Sequence, residues 1–210
     1  SLAMQYRMHE EIMSFSSRMF YDNCLVAAES IATQTLFSGD LPFLFIDTSG
    51  CAFEEQNEGS SIFNTEESLF LLKHLNLYLE QLSESIRPGS PPSVGIISPY
   101  QEQVKTLTAM YAEHETLKDY PGKITINTID SFQGQERDII YISLTRSNLE
   151  QKIGFLADVR RMNVAMTRAK KKLVIIGDGS TLSKSAFYMN LMQYAEEKNA
   201  YLSAWAFMID

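Results

Sequence analysis

The sequence predicts an α/β fold, a mainly parallel sheet covered by helices on both faces. Five short apolar runs, at residues 43–47, 94–97, 124–128, 139–144 and 172–176, read as buried strands, and stretches of helical spacing lie between them. Parallel neighbours of this kind are joined by right-handed crossovers. With 210 residues, 45% of them hydrophobic, the chain can bury one sizeable core, so residues 1–210 are expected to form one domain.

The chain opens abruptly on L-A-M-Q-Y-R-M-H, as though it begins in mid-fold. From His9 on, Ile12, Phe15, Met19 and Phe20 fall on one helical stripe with Glu10, Glu11 and Arg18 off it. Gln5, Tyr6 and Arg7 then lie just ahead of a helix, where a side chain can reach a ligand or simply cover the helix start. Residues 22–39 show no clear periodicity, and the polar, acidic stretch 50–61 reads as an exposed loop. Asn64 is placed as a helix cap with Glu67 three residues on, followed by Leu69, Leu72, Leu75, Leu79 and Leu82 at helical spacing. His74, inside that helix, reads as an ordinary surface or core-edge histidine. R-P-G-S-P-P at 87–92 ends the helix.

V-G-I-I at 94–97 runs straight into S-P-Y-Q, which places Ser98 as N-cap, Pro99 at the first helical position and Gln101 in a capping box. Ligands of open α/β sheets gather at the carboxyl ends of strands, so Ser98 and Tyr100 lie where a substrate could be met; a well-capped helix alone would look the same. Residues 158–170 read as a helix capped by Asp158, with Met162, Ala165, Met166 and Ala169 facing the core. Arg161 and Arg168, seven apart, then point in nearly the same direction and could share a target. The last strand leads through G-D-G-S to a helix carrying Leu182, Phe187, Leu191 and Tyr194. Residues 201–208 add an edge strand, with Trp205 packed on the sheet.

Composition excludes several classes of function. Cys24 and Cys51 are too few for a disulfide framework, and His9, His74 and His114 are scattered without ligand spacing, so no structural metal is expected. No apolar run approaches the roughly 20 residues of a membrane span and no leader opens the chain, which implies a soluble, intracellular protein, cytoplasmic or nuclear. A net charge of -8 argues against wholesale coating of nucleic acid. Nine of the 18 basic residues nevertheless fall between Arg137 and Lys172, leaving room for a local basic site.

The chemistry concentrates in T-I-D-S-F-Q-G-Q-E at 128–136 and R-R-M-N-V-A-M-T-R-A at 160–169. Gly134 permits close backbone approach, flanked by Gln133 and by Glu136, a carboxylate able to accept from a ribose hydroxyl or to hold Arg137. A guanidinium offers planar, permanently charged donors matched to phosphate oxygens, which assigns Arg168 to function. Basic residues at a helix C-terminus also favour the macrodipole, which accounts for Lys170 to Lys172 without function and leaves Lys171 to solvent. No G-x-x-x-x-G-K-[ST] phosphate loop occurs, so the chain cannot by itself cradle a triphosphate with magnesium.

The order of four motifs, Q-Y-R-M-H at 5–9, G-I-I-S-P-Y at 95–100, N-T-I-D-S-F-Q-G-Q-E at 127–136 and G-F-L-A-D-V-R-R-M-N-V-A-M-T-R-A at 154–169, resembles the C-terminal motor motifs of superfamily I helicases. The match is closest to the Upf-type branch and reaches from Gln5 to about Asp178. The resemblance implies a second RecA-like domain, whose N-terminal partner, carrying the Walker lysine and magnesium carboxylate, lies outside this chain. ATP with Mg2+ would sit between the two domains, held mainly by that partner. Tyr6 would then lie by the adenine and Glu136 by the ribose, with Gln5, Gln133 and Gly134 on the same nucleotide-facing side, and Arg7 and Arg168 would reach the γ-phosphate. Pro99, Tyr100, Thr128, Asp130, Thr145 and Arg146 would line a track for single-stranded DNA or RNA, in a branch that generally moves 5′ to 3′. Met162 and Met166 are mild departures at apolar positions.

A competing function is a non-catalytic module that keeps the fold and its arginines for binding nucleic acid or protein. An upstream Walker motif in the complete protein separates the two. For the chain alone, the motor reading expects no ATP hydrolysis, with or without nucleic acid, because phosphate loop, magnesium ligand and water-activating carboxylate belong to the partner. Nucleic-acid-stimulated turnover by the purified chain would overturn that expectation.

Overall fold

A computed structural model describes residues 3–5, 8–85 and 89–208. Strand β1 (Ala3–Gln5) leads to helix α1 (Glu10–Phe20), and β1 pairs in parallel with β2 (Leu25–Ala27), which precedes the short helix α2 (Glu29–Ala32). Strand β3 (Phe43–Asp47) is followed by a hairpin, β4 (Gln56–Glu58) and β5 (Ser61–Phe63), then by helix α3 (Thr65–Ser85). Next come β6 (Val94–Ile97), α4 (Gln101–Glu113), β7 (Ile124–Asn127), β8 (Arg137–Ser143), α5 (Val159–Met166) and β9 (Ala169–Gly177). The chain closes with α6 (Gly179–Leu182), α7 (Ala186–Glu197) and β10 (Tyr201–Ser203).

Six of these strands form one sheet in the order β10-β3-β9-β8-β6-β7, and each neighbouring pair is parallel. The expected α/β architecture is therefore present, and all five strands read from the sequence belong to this sheet. β3, β6 and the centre of β8 are buried on both faces, as their unbroken apolar runs require. Helices α3 and α4 cover the face carrying Tyr141 and Ser143: His74 Nδ1 meets the Tyr141 hydroxyl at 2.7 Å, and Gln103 Nε2 donates to Ser143 Oγ at 2.9 Å. On the opposite face Phe43 packs against Tyr194 of α7, with ring centroids 5.5 Å apart, and Phe15 of α1 joins the same cluster. Burial holds the His74 pKa down at about 4, with Lys172 adding to the effect, so this histidine is a neutral core group near pH 7.

Several local expectations differ. The cap by Asp158 is present, its carboxylate accepting from Arg161 N, but α5 ends at Met166 and Ala169 already belongs to β9. Lys170 to Lys172 therefore lie on a strand, and Lys172 is buried, donating to Asp40 Oδ1 at 2.8 Å and to Leu41 O at 2.6 Å. Neither the macrodipole nor solvent explains these lysines; Lys171 is half-buried beside Asp138. Helix α4 begins two residues later than Pro99 would place it: Ser98 Oγ accepts from Tyr100 N and so caps a turn ahead of the helix, and Gln101 is exposed. Residues 22–39 include β2 and α2, and the acidic stretch 50–61 folds back as a hairpin. At the chain end only Tyr201–Ser203 extend the sheet, and it is Tyr201 that stacks on Phe45 at 6.0 Å, while Trp205 is 54% exposed. Leu69, expected on the buried stripe of α3, faces out.

Asn64 caps α3 by accepting from Glu67 N at 3.0 Å, yet Glu67 does not reach back to the cap. Gln103 Oε1 takes the Asn64 N–H instead, and Glu67 Oε1 accepts from Ser143 Oγ at 2.5 Å and from Thr145 N at 2.8 Å. The carboxyl group is fully buried, its Oε2 has no hydrogen-bond partner among the described residues, and burial raises its pKa from 4.5 to about 7. A raised carboxyl pKa means that the folded chain binds the proton more tightly than the unfolded one. This stabilising contribution is complete below about pH 4.5 and is lost as pH rises through about 7, a swing of about 3 kcal/mol. Glu67→Gln is expected to flatten that dependence, read as urea unfolding of both forms at pH 5 and pH 8; an unchanged pH slope would remove Glu67 as its source.

Candidate functional site

The sequence-chosen residues separate to the two ends of the sheet. The stretch Gln133–Glu136 leads into β8, and Arg168 precedes β9, so these residues gather at the amino end. Ser98, Pro99 and Tyr100 follow β6, Thr128 and Asp130 follow β7, and Thr145 and Arg146 follow β8, all at the carboxyl end. Seven residues of β8 at about 3.3 Å each keep the two groups about 20 Å apart. The carboxyl-end rule thus fits the second group, whereas Glu136 lies at the opposite, amino end of its strand.

At the amino end, the turn between α5 and β9 is joined to the glycine loop. Arg168 Nε donates to Val164 O at 3.0 Å, Nη1 to Gln135 O at 3.2 Å and Nη2 to Thr167 Oγ1 at 3.3 Å. Arg137 N donates to Arg168 O at 3.0 Å, completing the join from the other side. Arg137 itself is buried; its guanidinium lies over the Phe132 ring and donates to Glu136 O and Gln135 Oε1. It is the backbone carbonyl of Glu136, not its carboxylate, that accepts from Arg137. Gln133, Gly134 and Glu136 are exposed, and Gly134 adopts φ +72 with open space where a Cβ would point.

Gln5 reaches the same region from the start of the chain. Its side chain donates to Met8 O and accepts from Met8 N, both at 2.8 Å, while His9 N donates to Lys170 O and ties the start of α1 to β9. Tyr6 and Arg7 lie outside the described residues. Arg161 and Arg168 do not share a target: Arg161 pairs with Asp130 at 2.9 Å near the opposite end of α5. Among the described residues, no group of three or more His, Cys, Asp or Glu is arranged to hold a metal ion.

The carboxyl end is built around a γ-turn. Arg146 N donates to Leu144 O at 2.7 Å across Thr145, whose φ of +72 is a strained value for a β-branched residue. Glu67 holds the Thr145 N–H, Asn64 Nδ2 donates to Thr145 O at 3.1 Å, and the Thr145 hydroxyl meets Ser98 Oγ at 3.0 Å. Arg146 is buried in an ion pair with Glu55 at 3.1 Å, and its Nη1 donates to the Tyr100 hydroxyl at 3.1 Å. Tyr100 is buried, Pro99 and Thr128 are half-buried, and Asp130 is exposed. Sequence reading missed Glu55, Glu67 and Gln103 as members of this edge. The only signal was N-T-E-E at 64–67, which a capping box appeared to explain fully.

A parallel sheet carrying these loops at its two ends is a RecA-like α/β domain. The chain belongs to the AAA_12 family: the family model, described as an AAA domain, matches residues 1–180 and corresponds to the C-terminal helicase region of Upf1/Sen1-like superfamily I helicases. It is 39% identical over 203 residues to a probable helicase of Dictyostelium discoideum, a match covering 93% of this chain and 20% of that protein. It is 33% identical over 225 residues to DNA polymerase alpha-associated DNA helicase A of Saccharomyces cerevisiae, covering 98% of this chain and 29% of that one. Similarity to regulator of nonsense transcripts 1 of Dictyostelium discoideum is 35% over 206 residues, covering 94% and 15%. The chain spans less than a third of the length of these relatives.

Arg146 is therefore first a structural cation. Arg146→Ala takes the cation from the half-buried Glu55 carboxylate, which keeps the Ser147 N–H and Asn148 Nδ2, and is expected to cost about 1–3 kcal/mol by urea unfolding. An exposed phosphate contact would instead leave stability intact and lower the salt dependence of nucleic-acid binding by about one phosphate.

Proposed function

We propose that the chain is the C-terminal motor half of an ATP-dependent nucleic-acid helicase or translocase that moves 5′ to 3′. In this reading a companion RecA-like domain, N-terminal in the complete protein, holds most of the ATP and its Mg2+. The observation that supports it most directly is the joining of Arg168 to the Gln135 carbonyl, 33 residues away, which puts a guanidinium and an exposed glycine loop on one edge. That edge fits a nucleotide: Gly134 leaves its outer side open, and Gln133 and Glu136 stand exposed on either side of it.

ATP supplies the transferable phosphoryl group and the charge that must be neutralised as it leaves. Arg168, oriented by the carbonyls of Val164 and Gln135, brings a planar donor fork to that charge, with Arg7 as its partner from the start of the chain. Glu136 accepts from the ribose hydroxyls, Gln133 and Gly134 line the same cleft, and Tyr6 lies by the adenine. The side chain of Gln5 bonds both backbone groups of Met8, just ahead of α1. Because the phosphates belong to the companion domain, hydrolysis depends on closure of the cleft. The carboxyl end then faces single-stranded nucleic acid through the loops carrying Pro99, Tyr100, Thr128, Asp130, Thr145 and Arg146.

In the complete protein, Arg168→Ala is expected to lower ATP turnover by roughly 10³-fold, the size associated with arginine fingers, with Arg168→Lys restoring little. The hydrogen bonds to Val164 and Gln135 add a separate stability loss of about 1.5–3 kcal/mol. ATPase assays with single-stranded DNA and RNA, run beside melting curves, separate the two effects. A destabilised variant with full turnover would show that Arg168 only braces the turn.

A further inference from the structure

Tyr100 is the aromatic residue that sequence reasoning puts on the nucleic-acid track, but it is only 5% exposed and its hydroxyl is occupied on every side. It donates to Ile153 O at 3.1 Å and accepts from Phe155 N and Arg146 Nη1, each at 3.1 Å. The Arg146 guanidinium lies 5.6 Å from the ring centroid. Gly154, at φ +50, rests directly on these side chains, because a Cβ there would run into the Arg146 guanidinium and the Tyr100 hydroxyl. The buried pair is thus a pedestal for residues 153–155.

What the pedestal presents is Phe155. Its ring lies 5.3 Å from that of Tyr100 at 32°, yet the residue is 63% exposed. An aromatic ring supported from behind by another ring, and fixed through its own backbone N–H, offers a rigid apolar surface to the solvent. Five residues on, across the Asp158 cap, Arg160 is exposed and has no hydrogen bond or ion pair among the described residues. The other cations of this edge are taken: Arg161 by Asp130, Lys152 by Glu150 and Arg146 by Glu55. A preorganised ring, with an uncommitted guanidinium five residues on in the chain, supplies the two groups by which proteins hold single strands without reading their sequence, the ring stacking on a base and the cation meeting a phosphate.

We infer that Phe155, backed by Tyr100, is a stacking platform for one unpaired base of single-stranded nucleic acid, and that Arg160 takes a neighbouring phosphate. The inference rests on the nucleic-acid reading of the carboxyl edge. An unpaired base matches the single supported ring and the uncommitted Arg160 guanidinium better than an apolar face of the companion domain, which would leave that guanidinium uncompensated.

The test uses the complete protein with oligo(dT) and oligo(rU), and with a fully abasic strand of equal length. Phe155→Ala is expected to weaken binding to the base-bearing strands by roughly 5- to 100-fold. Phe155→Trp should restore it and Phe155→Leu should not, while wild type and Phe155→Ala bind the abasic strand alike. Arg160→Ala should reduce the salt slope by about one phosphate contact, and Phe155→Ala should leave that slope unchanged. Wild-type binding that Phe155→Ala does not alter would refute the platform and leave the nucleic-acid reading standing. Equal weakening on the abasic strand would assign Phe155 to the companion domain. Failure of the wild type to bind any strand would refute the nucleic-acid reading together with the inference built on it.

Discussion

The turn after β8 is held in a backbone conformation that its sequence does not favour, and the carboxyl edge is arranged to hold it there. A threonine at φ +72 costs on the order of 1–3 kcal/mol, so Leu144–Arg146 would relax to an ordinary extended exit if nothing opposed it. Opposition comes from three side chains at once. Glu67 of α3 grips the Thr145 N–H, Asn64 takes its carbonyl, and Ser98 after β6 meets its hydroxyl. Gln103 of α4 then binds both Asn64 and Ser143, so no member of the set can turn without breaking the bonds of another. Burial makes the arrangement stiff, because a displaced donor or acceptor finds no water to replace its partner. The tilt of Arg146 into Glu55 and Tyr100, and through Tyr100 the placement of residues 153–155, follow from this one turn.

The amino edge is assembled by a simpler device. β8 and β9 are adjacent and parallel, so the loop that enters one lies beside the turn that enters the other, and the bonds of Arg137 N and Arg168 Nη1 join them. The start of α1 is added through a single backbone bond from His9 N to Lys170 O. Two of these motifs thus meet because they precede adjacent strands of one sheet, and the third, ahead of α1, is tied to β9 by that bond. A shift of β9 along β8 would move Arg168 away from Gly134 and the carboxyl loops along with it. The nine residues of β9, most of them buried, make such a shift expensive.

Much of the fold was legible in the sequence because a parallel sheet buried on both faces leaves unbroken apolar runs, and five such runs marked its strands. Boundaries were less legible where two signals competed. Pro99 suits the first turn of a helix, but Ser98 is engaged by Thr145 from the turn after β8, and the helix starts only after both. M-T-R-A-K-K-K continues a helical pattern on paper, yet the backbone of Arg168 pairs with Arg137 and Ala169 is drawn into the sheet. The site was legible as a set of residues rather than as a geometry. The helicase resemblance names Tyr100 and Arg146 as nucleic-acid contacts, and only packing reveals that both are buried supports. Glu67 was hidden for the opposite reason, since a carboxylate in the first turn of a helix already has an ordinary local explanation.

The same burial resolves the tension between a net charge of -8 and a cluster of nine basic residues between Arg137 and Lys172. The cluster does not form a basic surface. Arg137, Arg146 and Lys172 are internal, the last two against Glu55 and Asp40, and Lys152, Arg161 and Lys171 each face a carboxylate. Counterion release scales with the phosphates a surface neutralises, so a face with few free cations gains little affinity from that source. In the proposed reading, grip on a strand comes instead from shape, hydrogen bonds and stacking, interactions that weaken far less with salt. Under the proposed function, in which a motor releases and rebinds its track at every step, such a hold has a physical advantage. Each contact is local and short-ranged, and a small change in the relative position of two domains can break it, whereas the attraction of a broad basic face would persist across about 8 Å of physiological salt solution.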